Sequence, residues 1–460
     1  MKMFTNNSLL SKLTFAVTFS LVTIGLSSNL KAQEVLTIQD AIDRMLNNNL
    51  NIKQSSLNVA TSAVNLEQSR AALYPTLSAG IDNNFNFGRS LNPATNELIS
   101  QKFYQGTGSL STSVDLFGGF AKLNQIRQNK ILLAAGNSTL DKTKNDLILQ
   151  VVTAYFQVVF NTDLLKASKE QLLVAAETQR REQALLEAGN KTLADISQAK
   201  AQAATAELNV TTAQNQLTIS YLTLSQLMEM GPDSESYTVV KPTIKDIAQA
   251  QKSYDVNDVY NTSLSFFPDV KLAQLNREAA EKAVDVAKGA AYPKLSLGGS
   301  IGSQYSFILG QRSPLSTPDA ALSDQISNNF SQGVQLSLRI PIFNGLTIKS
   351  NVKKAKISYE GSKISEQLTK NNLNKVIAQA VADLRAADGK YKSNEKTFNA
   401  QKDAFNVIEQ RYAVGLVNSL DYNTSRTNRN KAEVDYIQSK YDLLFKSKVI
   451  DYYLGKQITF

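Results

Sequence analysis

The sequence of 460 residues contains no cysteine, no histidine and no tryptophan. Without cysteine the chain has no disulfide and no cysteine that could carry a lipid after an export signal. Without histidine it lacks the commonest general base, the Ser-His-Asp and Cys-His catalytic arrangements and most zinc, copper and non-heme iron sites. We therefore expect a protein that is not an enzyme and that holds neither a cofactor nor a metal.

Long apolar runs are also scarce. The main one extends from Leu13 to Leu26, follows Lys2 and Lys12, and is followed by small residues near Ala32. At about 14 residues it is shorter than the roughly 20 that a spanning helix needs, so residues 1–32 are predicted to be a secretory signal peptide. We expect no later segment to be long and apolar enough to span a membrane as a helix.

The charge balance is mildly basic, with a formal net charge of +9. The predicted signal peptide contributes three of these charges through Lys2, Lys12 and Lys31. In the remaining chain, charges of both signs alternate along the predicted helices, which is typical of solvated helix faces. We expect no nucleic-acid partner.

Proline is absent from two long stretches of the chain. None of the nine prolines lies between residues 94 and 231 or after residue 341, and glycine is scarce over 120–188 and 346–414. These stretches are rich in Ala, Leu, Gln, Lys and Glu, which favour helix. They predict coiled-coil helices of about 65–70 residues, on the order of 100 Å long at 1.5 Å per residue.

Two sequence patterns occur twice. Ala72-Leu73-Tyr74-Pro75 returns 218 positions later as Ala290-Ala291-Tyr292-Pro293, and Leu116-Phe117-Gly118-Gly119 returns 226 positions later as Ile342-Phe343-Asn344-Gly345. This is typical of a duplicated domain. We predict a first structural repeat over 33–235, a linker over 236–253 and a second repeat over 254–460.

Each repeat contains two segments in which apolar and polar residues alternate. The predicted strands cover 76–87 and 107–117 in the first repeat and 294–308 and 330–343 in the second, followed by helical hairpins over 120–229 and 346–455. In an exported chain this pattern favours tilted transmembrane strands, although a soluble half-buried hairpin has the same alternation. Leu336 and Leu338 would then face lipid, whereas Asp115, Ser337 and Arg339 would face a lumen.

Four strands cannot close a barrel, and an open sheet edge is not tolerated in lipid. Other copies must therefore complete the barrel, and three copies would give twelve strands. The fold class predicted is a mixed α/β membrane protein, with long helical hairpins and four transmembrane strands per chain.

At this point the chain resembles a TolC-type outer-membrane efflux protein. The resemblance rests on the order of helix, Tyr-Pro, two strands, Phe-x-Gly, long helix and glycine turn, present twice, and on the Val414-Gly415-Leu416 turn. It implies a homotrimer in the outer membrane of a Gram-negative bacterium, with a 12-stranded barrel in lipid and a 12-helix tunnel in the periplasm. It also implies a periplasmic adaptor and an inner-membrane transporter of the RND, ABC or MFS type, in an efflux pump or type I secretion system.

The hairpin turns share the pattern Gly-x-x-[Thr/Asn]-x-x-Asp, which begins at Gly189 and at Gly415. The aspartates, Asp195 and Asp421, could simply cap the following helices. By resemblance they also lie near a periplasmic gate with Tyr412 and Thr424, and Gly189, Val414, Gly415 and Leu416 form adaptor-docking tips. Val417 and Thr424 stand where the family has charged residues, so we expect closure to depend on Tyr412, hydrogen bonds and packing more than on ion pairs.

Two other functional classes are compatible with parts of the pattern. A secreted coiled-coil or adhesin-like structural protein would need no lipid-facing strands. A two-carboxylate hydrolase would need a concave site on a compact domain, which this pattern does not offer. The preferred prediction is an export channel whose cargo the sequence does not specify.

Overall fold

The computed structural model describes residues 34–91, 98–231, 237–309 and 321–458. The predicted signal peptide, residues 1–32, lies outside these ranges. The helices are α1 (Ile38–Asn48), α2 (Leu50–Ala71), α3 (Ala121–Glu187), α4 (Leu193–Leu227), α5 (Ile244–Ala250), α6 (Val256–Phe266), α7 (Pro268–Gly289), α8 (Leu322–Asn328), α9 (Thr347–Ala413) and α10 (Ser419–Tyr453). The strands are β1 (Glu34–Leu36), β2 (Thr76–Leu91), β3 (Leu98–Gly118), β4 (Tyr237–Val239), β5 (Lys294–Leu309) and β6 (Ser331–Arg339).

The helices repeat with the two offsets that the sequence contains. When the bounds of α1 and α2 are shifted by 218 positions, they coincide with those of α6 and α7. When the bounds of α3 and α4 are shifted by 226 positions, they coincide with those of α9 and α10. The two long helices have 67 residues each. The duplicated architecture predicted from the sequence is therefore present at the level of individual helix ends.

The strand bounds differ from those predicted. β2 and β5 continue to Leu91 and Leu309, and β3 begins at Leu98 instead of residue 107. β6 is shorter than the predicted 330–343 because it ends at Arg339, two residues before Pro341, which has no N–H for the ladder.

One compact unit comprises residues 50–145 and 255–379. It contains a four-stranded antiparallel sheet in the order β2-β3-β5-β6. Hydroxyl side chains meet across β2 and β3 on the polar face, as in Ser78 Oγ and Ser111 Oγ at 2.9 Å. On the other face Phe85, Tyr104 and Tyr305 form an aromatic cluster, with ring centroids 4.7 and 5.6 Å apart.

The other compact unit comprises residues up to 49, 146–254 and 380–460, of which those from 34 onward are described. Its small parallel sheet pairs β1 with β4. The Tyr155 hydroxyl lies 2.9 Å from the carbonyl oxygens of both Leu36 and Val240, and it therefore ties this sheet to α3. Each compact unit draws on both sequence repeats, so the duplication does not correspond to two separate folding units.

One expectation about helices is wrong. Among the described residues, α3 contains an 18-residue stretch with a mean hydropathy of 1.3, which is long and apolar enough to cross a membrane by composition alone. Half of that stretch is buried within the protein, and Val151, Val152 and Val158 of α3 have no exposed surface. A buried core helix gives the same signal, so we assign no membrane span to α3.

Candidate functional site at the helical hairpin turns

Both helical hairpins turn at a glycine in the left-handed conformation. Gly189 has φ 76° and Gly415 has φ 77°, values that favour glycine because it has no Cβ. After α3 the N–H of Asn190 bonds to the carbonyl of Leu185, and after α9 the N–H of Leu416 bonds to that of Arg411, both at 2.9 Å. This 6→1 bond marks a Schellman motif, so the two turns are built alike.

The first turn uses its predicted aspartate as a helix cap. Thr192 and Asp195 form a reciprocal capping box, in which Asp195 Oδ2 accepts from Thr192 N at 3.1 Å and from Thr192 Oγ1 at 2.7 Å. Hydrogen bonds from the Ser419 hydroxyl and from Thr192 lower the pKa of Asp195 to about 2. The cap interpretation is therefore correct for Asp195, and the Ser419 contact additionally links it to the second hairpin.

The aspartate of the second turn, Asp421, has different hydrogen bonds from Asp195. Asn418 Oδ1 accepts from the backbone N–H of Asp421 at 2.8 Å, but the Asp421 carboxylate does not complete a capping box. Asp421 and Thr424 are both exposed. The structure thus brings two of the four predicted gate residues, Asp195 and Tyr412, to one site and leaves the other two outside it.

Tyr412 lies at the centre of that site. Its hydroxyl donates to Glu182 Oε1 at 2.5 Å, lies 3.1 Å from Ser419 Oγ, and accepts from Lys191 Nζ at 3.3 Å. Burial and the bond to Glu182 raise the pKa of Tyr412. We call Glu182, Lys191, Asp195, Tyr412 and Ser419 the turn cluster.

The sequence analysis missed two charged members of the turn cluster. Glu182 is only 1% exposed, and its Oε2 has no hydrogen bond among the described residues but lies 3.6 Å from Lys191 Nζ. Desolvation lowers the pKa of Lys191, but the bond with Tyr412 and the carboxylates of Glu182 and Asp195 outweigh it, so the net shift is upward. The expectation that closure depends on Tyr412, hydrogen bonds and packing more than on ion pairs stays a prediction, and the structure adds the contact between Glu182 and Lys191 to the site.

A signal for these two residues exists in the repeat. The 226-position offset aligns Glu182 with Ile408 and Lys191 with Val417. An acid and a base in one repeat thus replace two apolar residues in the other. Lys191 of the first turn lies 3.3 Å from the Tyr412 hydroxyl and 3.2 Å from Ser419 Oγ, so it places a cation beside the second turn, which itself carries Val417.

Aromatic packing supports the turn cluster. The Tyr412 ring stacks on Tyr422 with centroids 4.4 Å apart and an interplanar angle of 12°. Arg426 is buried beside Tyr422, donates to Asn423 Oδ1 at 3.1 Å and to Thr178 Oγ1 at 3.3 Å, and has a pKa lowered by its burial. Deleting the Tyr412 hydroxyl would therefore leave its ring held by the stack.

The outer surface of the turns is apolar. Val414 and Leu416 of the second turn are 71% and 76% exposed, as predicted docking residues would be. Leu193, just after the first turn, is 72% exposed, so the apolar surface is not confined to the second turn.

The predicted lumen-facing residues lie on the sheet. Arg339 pairs with Lys294 and belongs to the same face as Ser337, while Asp115 pairs with Ser296. Asp115 also forms a 2.7 Å ion pair with Lys122, so its charge is locally balanced. Within the described ranges no group of three or more acidic side chains is arranged to hold a metal ion.

Comparison with known proteins identifies the family. The model of the outer membrane efflux protein family matches residues 41–229 and 259–456. The chain belongs to this family.

Relatives and solved structures agree with this assignment. Outer membrane protein TolC of Escherichia coli K12 is 24% identical over 445 residues, covering 94% of this chain and 84% of TolC. Toxin and drug export protein A of Aggregatibacter actinomycetemcomitans is 23% identical over 411 residues, covering 88% and 82%. The Vibrio cholerae outer membrane protein VceC superposes with a TM-score of 0.75 at 18% identity, covering 91% and 96%, and CusC superposes with 0.76 at 16%, covering 91% and 92%.

The predicted fold class and function are thereby confirmed. The chain is an outer-membrane efflux protein with a TolC-type fold, and the family consists of channels rather than enzymes. This outcome favours the export channel over the secreted structural protein considered from the sequence.

Proposed function

We propose that this protein is the exit duct of a tripartite efflux pump or a type I secretion system. Three copies would form one channel, with four transmembrane strands from each, and would receive cargo from an inner-membrane transporter of the RND, ABC or MFS type through a periplasmic adaptor. Relatives bear names that refer to toxin and drug export and to toluene efflux, so the proposal concerns the duct and not one cargo.

The turn cluster supports a gate at the hairpin turns. Tyr412 and Ser419 belong to the second hairpin, whereas Glu182, Lys191 and Asp195 belong to the first. The bonds of Tyr412 with Glu182 and Lys191, and those of Ser419 with Lys191 and Asp195, therefore join the two hairpins of one copy. In the closed channel we infer that these bonds hold the hairpins together.

Opening has an electrostatic cost in this arrangement. Separating the hairpins removes the Tyr412 hydroxyl from the carboxylate of Glu182, and a buried carboxylate that loses its donor is strongly destabilised. This cost decreases once the hairpins separate far enough for water to hydrate the Glu182 carboxylate. An adaptor or transporter that binds the separated hairpins would shift the gate to its open state.

The apolar turn is the proposed docking surface for the adaptor. Val414 and Leu416 present exposed apolar side chains on either side of Gly415, and an exposed apolar group at a rigid turn is a suitable anchor for a partner. Leu416→Glu places a charge there without altering the left-handed glycine. We expect it to abolish export while the trimer and its outer-membrane insertion persist.

Asn190→Glu is the matched control. Asn190 is the counterpart of Leu416 in the first turn, so the variant adds the same charge at the equivalent position. Export is measured as drug susceptibility or cargo secretion in cells that carry the cognate transporter and adaptor, and trimer content by mild-detergent electrophoresis of outer membranes. Normal export by Leu416→Glu, or equal loss in both variants, would place adaptor docking elsewhere.

A further inference from the structure

A polar cavity of about 330 Å³ lies between the two helical hairpins. Both α3 and α4 of the first hairpin line it, and α4 contributes the amide side chains of Gln202 and Asn209. From the second hairpin, α10 contributes three charged side chains, Arg426, Lys431 and Asp435. A small ligand in this cavity would therefore contact both hairpins at once.

Arg426 is a buried cation without a carboxylate partner. The residue is only 4% exposed. Its guanidinium donates to Thr178 Oγ1 and to Asn423 Oδ1, both neutral acceptors, and lies 5.6 Å from the centre of the Tyr422 ring. In the part of the chain that the structure describes, it forms no ion pair with an aspartate or a glutamate. Because a buried charge is costly unless an opposite charge balances it, Arg426 calls for a negative group beside it.

The guanidinium of Arg426 has donors left for such a group. It carries five N–H bonds, and the bonds to Thr178 and Asn423 use two of them. The remaining donors belong to a planar fork, whose shape matches the two oxygens of a carboxylate or a phosphate. The chemistry of Arg426 therefore favours an oxyanion over a spherical anion.

The other charges of the cavity also favour an anion. Lys431 is exposed at its edge, so solvent and small ions have access to the positive side of the cavity. Two cations face one carboxylate, that of Asp435, which leaves one net positive charge among the lining residues. The 226-position offset aligns Lys431 and Asp435 with Thr205 and Asn209, which line the same cavity without charge. The first hairpin therefore supplies neutral polar groups and the second supplies the charge.

We propose that this cavity binds one small oxyanion, a carboxylate or a phosphate, between the two hairpins. Arg426 binds its oxygens, Lys431 adds a second positive charge, and the amides of Gln202 and Asn209 donate from the first hairpin. Asp435 opposes binding and keeps it reversible. Since a water molecule takes up about 30 Å³, the cavity has the volume of roughly ten waters, which suits a small ion with part of its hydration shell.

The bound oxyanion would stabilise the packing of the two hairpins. Arg426 lies over the Tyr422 ring, and Tyr422 stacks on Tyr412 of the turn cluster, so the cavity and the turn cluster are joined by direct contacts. A ligand that binds only while the hairpins are together favours that arrangement. This effect on a gate rests on the proposed function, whereas the oxyanion site itself does not.

Hydrogen exchange of the purified full-length protein in detergent tests the site. Chloride in the buffer is replaced stepwise by inorganic phosphate or by acetate, at constant pH and ionic strength. We expect amide exchange over residues 202–209 and 426–435 to slow saturably with at least one of the two oxyanions, because ligand binding suppresses local opening. The phosphate and acetate series distinguish the two sources of the oxyanion. Exchange that does not respond to either replacement would overturn the proposal.

Variants of the lining residues separate binding from a general effect of salt. Lys431→Gln should raise the half-saturating concentration roughly two- to fivefold, and Asp435→Asn should lower it by a similar factor, as expected for partly exposed charges. Arg426→Lys keeps the charge but lacks the planar fork, so it should weaken binding about tenfold or more. If Arg426→Lys does not fold, the opposite shifts of the other two variants still decide the outcome.

Lys200→Gln is the matched control. Lys200 is the repeat counterpart of Arg426, is exposed on α4 and does not line the cavity, so the variant removes one positive charge without touching the site. We expect it to match the wild type. Equal shifts in Lys200→Gln and Lys431→Gln would show a general charge effect and would overturn the site. The measurement needs neither transporter nor adaptor, so its failure and a failure of the exit-duct proposal remain distinguishable.

Discussion

The Tyr412→Phe variant tests the turn cluster by removing one oxygen atom. The hydroxyl donates to a carboxylate that is 1% exposed, at 2.5 Å, and also accepts from Lys191. A hydrogen bond to a charged group contributes about 1.5–3 kcal/mol, and the ring remains stacked on Tyr422. Because about 1.4 kcal/mol corresponds to a tenfold change, the open state of one copy should gain about 10- to 100-fold in population.

Single-channel recording in planar bilayers measures this change as open probability and conductance. Tyr436→Phe is the control, since it removes a tyrosine hydroxyl from the same hairpin at a ring stacked on Phe398, away from Glu182. We expect the control to match the wild type. If Tyr412→Phe also keeps the wild-type closed conductance and closed lifetime, the turn cluster does not hold the gate.

Three further predictions concern charge. Glu182→Gln and Lys191→Gln should each raise the open probability. In a double-mutant cycle the free-energy change of the double variant should be smaller than the sum of the two single changes, with a coupling energy of about 0.5–3 kcal/mol. Additive effects would mean that the two groups do not interact in the closed state. Because the pKa of Asp195 is lowered from 3.8 to about 2, its carboxylate stabilises the turn above pH 3.8, and this stabilisation is lost as the pH falls towards 2. Because the pKa of Lys191 is raised, its ammonium stabilises the turn below pH 10.5, and this stabilisation is lost at higher pH. Hydrogen exchange of the turns should therefore be slowest between these limits, and Asp195→Asn should remove only the change on the acid side. Leu338→Lys should cost roughly 2–4 kcal/mol at mid-bilayer and impair assembly, whereas Arg339→Gln on the polar face should assemble normally, as checked by trimer yield; the reverse ranking would mean that the faces are exchanged.

Much of the fold could be predicted from the sequence because its signals are local and repeated. The long helices follow from the absence of proline, and their glycine turns follow from Gly189 and Gly415, whose left-handed φ the structure contains. The strand ends were predicted less well. β3 begins nine residues before the predicted start at 107, because the alternation of apolar and polar residues is weak over Leu98–Gly106.

Only some members of the turn cluster could be predicted from the sequence. Tyr412 and Asp195 were identified by resemblance, and both lie at the site. Glu182 and Lys191 were not, because the 230 positions between Glu182 and Tyr412 in the chain are bridged only by tertiary packing. A buried glutamate and an exposed one have the same local sequence pattern within a long amphipathic helix.

The difference between the two repeats has a mechanistic consequence. Had both hairpins carried Ile408 and Val417 at these positions, Tyr412 would have no carboxylate to bind and Ser419 no ammonium. Had both carried Glu182 and Lys191, each copy would bury two carboxylates near one tyrosine, and like charges in a buried site disfavour one another. One charged turn facing one aromatic turn gives Glu182 a cation from its own hairpin, Lys191, and a hydroxyl donor from the other hairpin, Tyr412. Only the bond to the Tyr412 hydroxyl depends on the two hairpins being together. If the turns form the gate that we propose, divergence of the duplicated turns provides a contact that would hold in the closed state and be lost in the open state.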